Sequence, residues 1–196
     1  MKLNTPNILT IVRIILTPIF LVVLLADELP HRFALACAIF SIASITDGID
    51  GHLARKNNQV TNFGKFLDPI ADKILTTSAL LAFMQMGLCD IWIVMLVLVR
   101  EFAIASVRMI AAAEGVVIPA NMWGKVKTAT QMIFTILIML LGEAWEILAT
   151  ENTELLARLP DLALVSNALL WITAILTIIS GVVYLNDSKK IIDFTK

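Results

Sequence analysis

The sequence is poor in charge and in the residues that build sulfur or nitrogen metal sites. Charged residues make up 16% of the 196 positions, against about 25% in soluble domains. The cysteines, Cys37 and Cys89, are far apart in sequence, so we predict no zinc or redox pair and interpret both as small buried residues. Histidine is equally scarce: His31 is expected at a membrane interface, and His52 lies beside acidic residues.

Apolar residues dominate instead, at 59% of the chain, which indicates an integral membrane protein. Long continuous apolar runs argue against a β-barrel, whose strands alternate over about 10 residues. Each run is close to the ~20 residues that a spanning helix needs. We therefore predict an all-α bundle of six transmembrane helices, forming one membrane domain over residues 1–196. The predicted segments are 8–26, 32–53, 68–87, 90–113, 126–148 and 162–185.

The first apolar segment resembles a signal peptide in length, but no small-residue cleavage site follows it. We interpret it as a retained helix whose start, from Lys2 to Arg13, lies along the interface before the chain crosses.

Basic residues concentrate at one set of predicted helix ends. They are Lys2, Arg13, Arg55, Lys56, Lys65, Lys125, Lys127, Lys189, Lys190 and Lys196. The other ends carry Arg32 and Arg158 and are mainly acidic: Asp27, Glu28, Asp90, Glu143, Glu146, Glu151, Glu154 and Asp161. The positive-inside rule then places both termini in the cytoplasm. The net charge of −1 adds nothing further, because the asymmetry carries the information. We expect no nucleic-acid partner.

Four aspartates lie within 26 residues at the cytoplasmic ends of the second and third segments: Asp47, Asp50, Asp68 and Asp72. A carboxylate near a bilayer costs roughly 2.5–3.5 kcal/mol even on a lenient scale. Each pair has helical spacing, i, i+3 or i, i+4, and so shares one helix face. We predict a polar turn over 54–67 that makes the two helices an antiparallel pair and brings the carboxylates together.

Four facing carboxylates repel one another unless cations lie between them. All-oxygen ligands suit Mg²⁺, Mn²⁺ or Ca²⁺ rather than zinc. Two such ions could clamp a phosphoryl group during in-line displacement. Gly51 and Gly64 would let a flat group such as a nucleotide approach the backbone, and Arg55 could pair with its phosphates.

The run fits the pattern D-x2-D-G-x2-A-R-x8-G-x3-D-x3-D at Asp47, Asp50, Gly51, Ala54, Arg55, Gly64, Asp68 and Asp72. It resembles the signature of the CDP-alcohol phosphatidyltransferases, which are six-helix membrane enzymes. The resemblance implies a CDP-activated lipid donor, CMP as leaving group, an alcohol that attacks the β-phosphorus, and two divalent cations (Mg²⁺ or Mn²⁺) held by the four aspartates. It also implies Asp72 as general base and a homodimer.

Cations elsewhere suggest a negatively charged acceptor. Arg100 and Arg108 lie in the apolar fourth segment, and Lys125 and Lys127 open the fifth. The alternatives are positive-inside anchoring for the lysines, an ion pair with Glu101 or an aspartate for Arg100, and snorkelling for Arg108.

The surroundings of these cations, together with the opening 6–13, resemble the bacterial phosphatidylglycerophosphate synthases over the first five helices. That subfamily implies CDP-diacylglycerol as donor, sn-glycerol 3-phosphate as acceptor and the bacterial inner membrane as location. It places Asn7, Thr10 and Arg13 near the nucleotide or its phosphates. Asn7 and Thr10 could equally cap an interfacial helix.

Two other functions remain open from the sequence. The same reaction could use serine, an inositol phosphate or phosphatidylglycerol as acceptor, and an uncharged acceptor would not need Arg108 and Lys125. Alternatively, the aspartates could be the ion site of a divalent-cation transporter, which would require carboxylates deep in the bundle.

Overall fold

The apolar runs of the sequence form helices in the computed structural model, which describes residues 5–56, 62–113, 115, 116, 118, 119 and 121–188. Side chains are described for these residues except at 5–7, 47–56, 62–69 and 72. The described chain contains no strand, which agrees with the all-α prediction. Its helices are α1 (Thr5–Leu25), α2 (Arg32–Lys56), α3 (Asn62–Gln85), α4 (Ile91–Ala113), α5 (Met122–Glu151), α6 (Thr153–Leu156) and α7 (Leu162–Ser188).

Two predicted connections were wrong in extent. The polar turn expected over 54–67 is partly helical, because α2 continues through Lys56 and α3 begins at Asn62. The connection between the segments predicted at 126–148 and 162–185 is also partly helical, because α5 continues to Glu151 and α6 follows. Both segments are polar, yet they contain alanine, leucine, glutamate, arginine and lysine, which are good helix formers.

Two glycines with positive φ end helices at the connections that flank α4. Gly87 and Gly115 both have φ of 75°. After α3, the N–H of Leu88 donates to the carbonyl of Phe83, a hydrogen bond of 2.8 Å that is typical of a Schellman ending. The same pattern follows α4. The short turn at Gly87 folds α4 back beside α3.

The helices pack around a core that joins both halves of the chain. α1 packs extensively against α2 and α3, α5 packs against α7 and α2, and α4 packs against α7. The core contains Phe20, Phe40, Phe83, Ile93, Ile138 and Leu170, each fully buried. Among the described glycines, the closest approach of a neighbour is at Gly142 of α5, where an added Cβ would lie 2.6 Å from the ring of Phe33 in α2.

The outside of the bundle is apolar. Large side chains such as Val22, Trp92, Phe102, Ile133 and Leu164 expose more than half of their surface. Within the described residues, three helical stretches are long and apolar enough to cross a membrane: Ile8–Leu25, Met122–Glu151 and Leu162–Ser188. In α2 the apolar part is Arg32–Thr46, and α4 carries three charged residues. The prediction of six spans therefore stays a prediction.

A group of charged residues ties the start of α2 to the end of α5; we call it the Glu143 cluster (Asp27, His31, Arg32, Glu143 and Glu146). Arg32 pairs with Asp27 and, at 2.8 Å, with Glu146. Glu143 contacts the Nδ1 of His31 at 2.5 Å and accepts the backbone N–H of Ala34 at 3.0 Å. The contact with Ala34 satisfies one of the free N–H groups at the α2 N-terminus.

Candidate active site

The four aspartates of the predicted metal site lie on two continuous helices. Asp47 and Asp50 are in α2, and Asp68 and Asp72 are in α3. Unbroken helix through both pairs places the members of each pair on one helix face, as predicted.

The side chains of these aspartates, with those of Asn7 and Arg55, lie outside the described ones. Gly51 and Gly64 fall in the same segments, so their expected role beside the nucleotide stays a prediction. Among the described side chains, no group of three or more histidine, cysteine, aspartate or glutamate residues could hold a metal ion. The metal and nucleotide assignments are therefore predictions based on residue type and helix position.

A buried arginine of α1 contacts the turn of α2 that leads to Asp47. Arg13 is 1% exposed, and its Nε donates to the carbonyl of Ala43 at 3.1 Å. The hydroxyl of Thr46 donates to the same carbonyl at 2.8 Å. Thr10, one turn earlier in α1, is also 1% exposed. Two of the three α1 residues that were predicted near the nucleotide thus lie inside the bundle, and Arg13 packs beside the helix that carries the first aspartate pair.

A second group of polar side chains gathers around Glu101 of α4; we call it the Glu101 cluster (Lys73, Arg100, Glu101, Lys127 and Ser180). Oε1 of Glu101 accepts from Nη1 of Arg100 at 2.7 Å and from Nζ of Lys127 at 2.9 Å. Nζ of Lys73 lies 3.8 Å from Oε2 and donates to the backbone carbonyl of Glu101 at 3.2 Å. Arg100 also donates to the hydroxyl of Ser180 at 2.6 Å. The cluster therefore joins α3, α4, α5 and α7.

The start of α5 lies against this cluster. Asn121 caps the helix, because its side chain accepts the backbone N–H of Gly124 at 2.8 Å. A Cβ at Gly124 would lie 3.3 Å from Nη2 of Arg100. The free N–H groups and the positive end of the α5 dipole therefore lie close to the cations of the Glu101 cluster.

The remaining two predicted acceptor residues are Arg108 and Lys125. Arg108 of α4 donates through Nε to the hydroxyl of Tyr184 in α7 at 3.1 Å, and its guanidinium lies 5.5 Å from the centre of that ring. Lys125 is exposed in the first turn of α5. Of the four predicted acceptor residues, the structure brings Arg100 and Lys127 together and places Arg108 on Tyr184.

Sequence analysis missed Lys73 and Tyr184. Lys73 could have been found, because a lysine inside a predicted membrane segment is a functional candidate by default. Tyr184 is the single tyrosine of the chain, but nothing in its local sequence points to Arg108, which lies 76 positions away.

Comparison with known proteins adds to this geometry. A sequence model described as CDP-alcohol phosphatidyltransferase matches residues 3–179. A CDP-diacylglycerol–glycerol-3-phosphate 3-phosphatidyltransferase of Bacillus subtilis (strain 168) is 38% identical over 196 residues, covering 94% of this chain and 95% of the relative. A protein of the same name from Rickettsia bellii (strain RML369-C) is 37% identical over 187 residues, covering 95% and 96%. A probable phosphatidylglycerophosphate synthase of Mycobacterium tuberculosis (strain ATCC 25618 / H37Rv) is 42% identical over 132 residues, covering 66% and 63%.

Proposed function

Because the chain belongs to the CDP-alcohol phosphatidyltransferase family, we propose that it transfers the phosphatidyl group of CDP-diacylglycerol to sn-glycerol 3-phosphate. The products are phosphatidylglycerol phosphate and CMP, which makes the enzyme part of phospholipid synthesis. The observation that carries this proposal is the eight-position aspartate signature on the adjoining ends of α2 and α3. Relatives that are named for this activity match nearly the whole chain.

The four aspartates suit a divalent cation, because their carboxylates supply only oxygen ligands, which Mg²⁺ and Mn²⁺ prefer. Asp47, Asp50, Asp68 and Asp72 would hold two such ions, and the family is generally dependent on divalent cations. When bound, these ions supply positive charge that stabilises the diphosphate during in-line displacement.

The chemical step needs one proton acceptor and one fixed geometry. Asp72 accepts the proton of the glycerol hydroxyl while that oxygen forms its bond to the β-phosphorus. The bond from that phosphorus to the oxygen bridging to CMP breaks, and CMP leaves with the electron pair. Arg55 pairs with the diphosphate, and Gly51 and Gly64 admit the nucleotide.

Helix α1 contributes further contacts to the nucleotide through Asn7, Thr10 and Arg13. The burial of Thr10 and the bond from Arg13 to α2 support this placement.

Binding of the acceptor falls to the cations on α4 and α5. Arg108, Lys125 and Lys127 hold the phosphate of glycerol 3-phosphate and decide which hydroxyl faces the phosphorus, while Arg100 supports them from the Glu101 cluster. Positioning and charge stabilisation are what such a transfer chiefly requires. The contacts that gather Lys127 and Arg100 on one carboxylate support this assignment.

The same proposal includes the arrangement of the protein in the membrane. The six long helices span the inner membrane of a bacterium, both termini and the active site face the cytoplasm, and two copies form a homodimer. The apolar outer surface of the bundle supports its place in lipid.

The decisive experiment measures CMP release from CDP-diacylglycerol by the detergent-purified protein with Mg²⁺ or Mn²⁺. Glycerol 3-phosphate, serine, inositol phosphate and phosphatidylglycerol are compared as acceptors. We expect CMP with glycerol 3-phosphate alone. CMP with another acceptor would keep the reaction and overturn the role of Arg108 and Lys125.

The aspartates are tested by Asp68→Ala and Asp72→Ala in the same assay. We expect CMP release to be abolished in both variants while the protein still elutes as a folded particle. Retained activity in either variant would contradict the mechanism, and chelation of divalent cations should reproduce the loss in the unmodified protein.

A further inference from the structure

Glu101 is placed to hold lysines that would otherwise separate. Its carboxylate contacts Arg100 and Lys127 through one oxygen and approaches Lys73 with the other. Lysine carries a compact charge on a flexible four-carbon stem, and neighbouring ammonium groups repel one another strongly where water is scarce. A carboxylate between them offsets that repulsion and fixes where each ammonium lies.

The burial of these groups is graded. The side chain of Lys127 is 3% exposed, that of Glu101 is 21% exposed and that of Lys73 is 33% exposed. The cluster therefore has a closed side at α5 and a more open side at Lys73. Lys73 directly follows Asp72, the proposed base, in α3. The open side of the cluster thus belongs to the helix that carries the second aspartate pair.

Positive charge is gathered on this carboxylate. Among the described side chains, Glu101 contacts three cations. Cations held beside the helix of the second aspartate pair suit a phosphate of the substrate.

We propose that Glu101 is a positioning residue of the transferase, which holds the ammonium groups of Lys73 and Lys127 where they receive a substrate phosphate. This inference rests on the proposed function and adds to it the residue that arranges the cations. Lys73 becomes a phosphate-binding residue, and Glu101 acts through the two lysines without contacting substrate.

Glu101→Gln separates two opposite expectations, because it keeps the side-chain shape and removes the charge. If Glu101 only competes with the phosphate for the lysines, its loss lowers KM. If it positions them, the lysines move apart and KM rises. We expect KM for a phosphate-bearing substrate to rise about tenfold, with kcat changed less than threefold. Glu101→Asp keeps the charge on a shorter stem, and its KM should lie between those of the unmodified protein and Glu101→Gln.

The assay is CMP release by the full chain in detergent, with each substrate titrated while the other is saturating. A rise confined to glycerol 3-phosphate assigns the cluster to the acceptor, and a rise confined to CDP-diacylglycerol assigns it to the donor diphosphate. An unchanged or lower KM for both substrates overturns the proposal. Absence of CMP from the unmodified protein with any acceptor would instead refute the proposed function.

A double-mutant cycle tests whether Glu101 acts through Lys127. Groups that share one interaction show non-additive effects. Glu101→Gln should therefore change KM much less in a Lys127→Met background than in the unmodified protein. Fully additive effects would overturn the proposed link.

A matched control is Glu143→Gln in the Glu143 cluster, since Glu143 is also a partly buried, ion-paired glutamate. It should lower thermal stability and leave both KM values unchanged. If Glu101→Gln is not recovered folded, Lys73→Gln and Lys73→Arg replace it, because Lys73 is more exposed. Lys73→Gln should raise KM several-fold and Lys73→Arg should restore part of the loss; an unchanged KM in Lys73→Gln overturns the proposal.

Discussion

The Glu101 cluster and the Glu143 cluster share helix α5 and have opposite balances of charge among the described side chains. Lys127 and Glu143 are 16 positions apart in α5, which is about 24 Å along the helix. Around Glu143, carboxylates outnumber the cations, and Arg32 joins Asp27 to Glu146. Around Glu101, cations outnumber the described carboxylates.

This difference separates a structural role from a functional one. Each charged group of the Glu143 cluster has a partner on a neighbouring element, and Glu143 also accepts a backbone N–H of α2. In the Glu101 cluster, three cations gather on one carboxylate, and one of them, Lys73, directly follows Asp72. Ion pairs alone therefore do not mark a site in this bundle; the Glu101 cluster is distinguished by its place beside the helix of the second aspartate pair.

The sharpest test removes one arginine from the proposed acceptor site and one from the Glu143 cluster. Arg108→Ala should lower kcat/KM for glycerol 3-phosphate roughly 10- to 100-fold, because a charge-assisted contact to phosphate is lost. Arg32→Ala should lower thermal stability without changing KM. The comparison fails if Arg108→Ala leaves kcat/KM unchanged or if Arg32→Ala raises KM.

Gly142→Ala tests the packing near the Glu143 cluster. The new Cβ would lie 2.6 Å from the ring of Phe33, which is 3% exposed and held in the core. Overpacking of this kind costs about 1–3 kcal/mol. We expect a lower unfolding temperature in detergent and an unchanged KM. Gly181→Ala, whose Cβ would lie 3.3 Å from Cγ of Arg100, is the control and should cost less stability.

Tyr184→Phe sharpens the assignment of Arg108. It removes the hydroxyl that accepts from Nε of Arg108 and keeps the ring under the guanidinium. Loss of one such hydrogen bond should raise KM for glycerol 3-phosphate about 3- to 10-fold. Ser188→Ala removes another buried hydroxyl of α7, bonded to the carbonyl of Tyr184, and should leave KM unchanged. Equal effects of the two variants would show that Tyr184 acts through packing alone.

The smallest effect is expected at the cysteines, which report whether the end opposite the active site is closed. Both thiols are free and buried, and burial raises the pKa of the Cys89 thiol to about 12, with Asp90 adding to the shift. A raised pKa keeps the thiol protonated and unreactive at neutral pH. We expect no labelling by maleimide in the folded protein and labelling of both cysteines after denaturation. Rapid labelling of Cys89 in the folded state would show an opening there.

Much of the helix pattern follows from the sequence, because apolar length determines it directly. The segments predicted at 90–113 and 162–185 correspond to Ile91–Ala113 and Leu162–Ser188. The errors fell at polar connections, where helix formers such as Ala54 and Ala149 extend a helix past its apolar part. Free cysteines in buried positions were also confirmed.

The aspartate signature could be identified from the sequence for a different reason: its residues are close together in the chain. The Glu101 cluster could not be identified from the sequence, because its members come from four helices. Lys73 reaches Glu101 across 28 positions, and Arg100 reaches Ser180 across 80. The sequence suggested the pair of Arg100 with Glu101 as an alternative, but not that two lysines share the same carboxylate.

The short turn at Gly87 has a consequence for how the chain is built into a membrane. α3 and α4 form a helical hairpin, and Lys73 of one arm meets Glu101 of the other. Inserting either charge alone into lipid is expensive, whereas a pair that meets within the hairpin is partly neutralised. In the proposed six-span arrangement, this pair favours entry of α3 and α4 together, because Lys73 and Glu101 partly neutralise each other before lipid surrounds them.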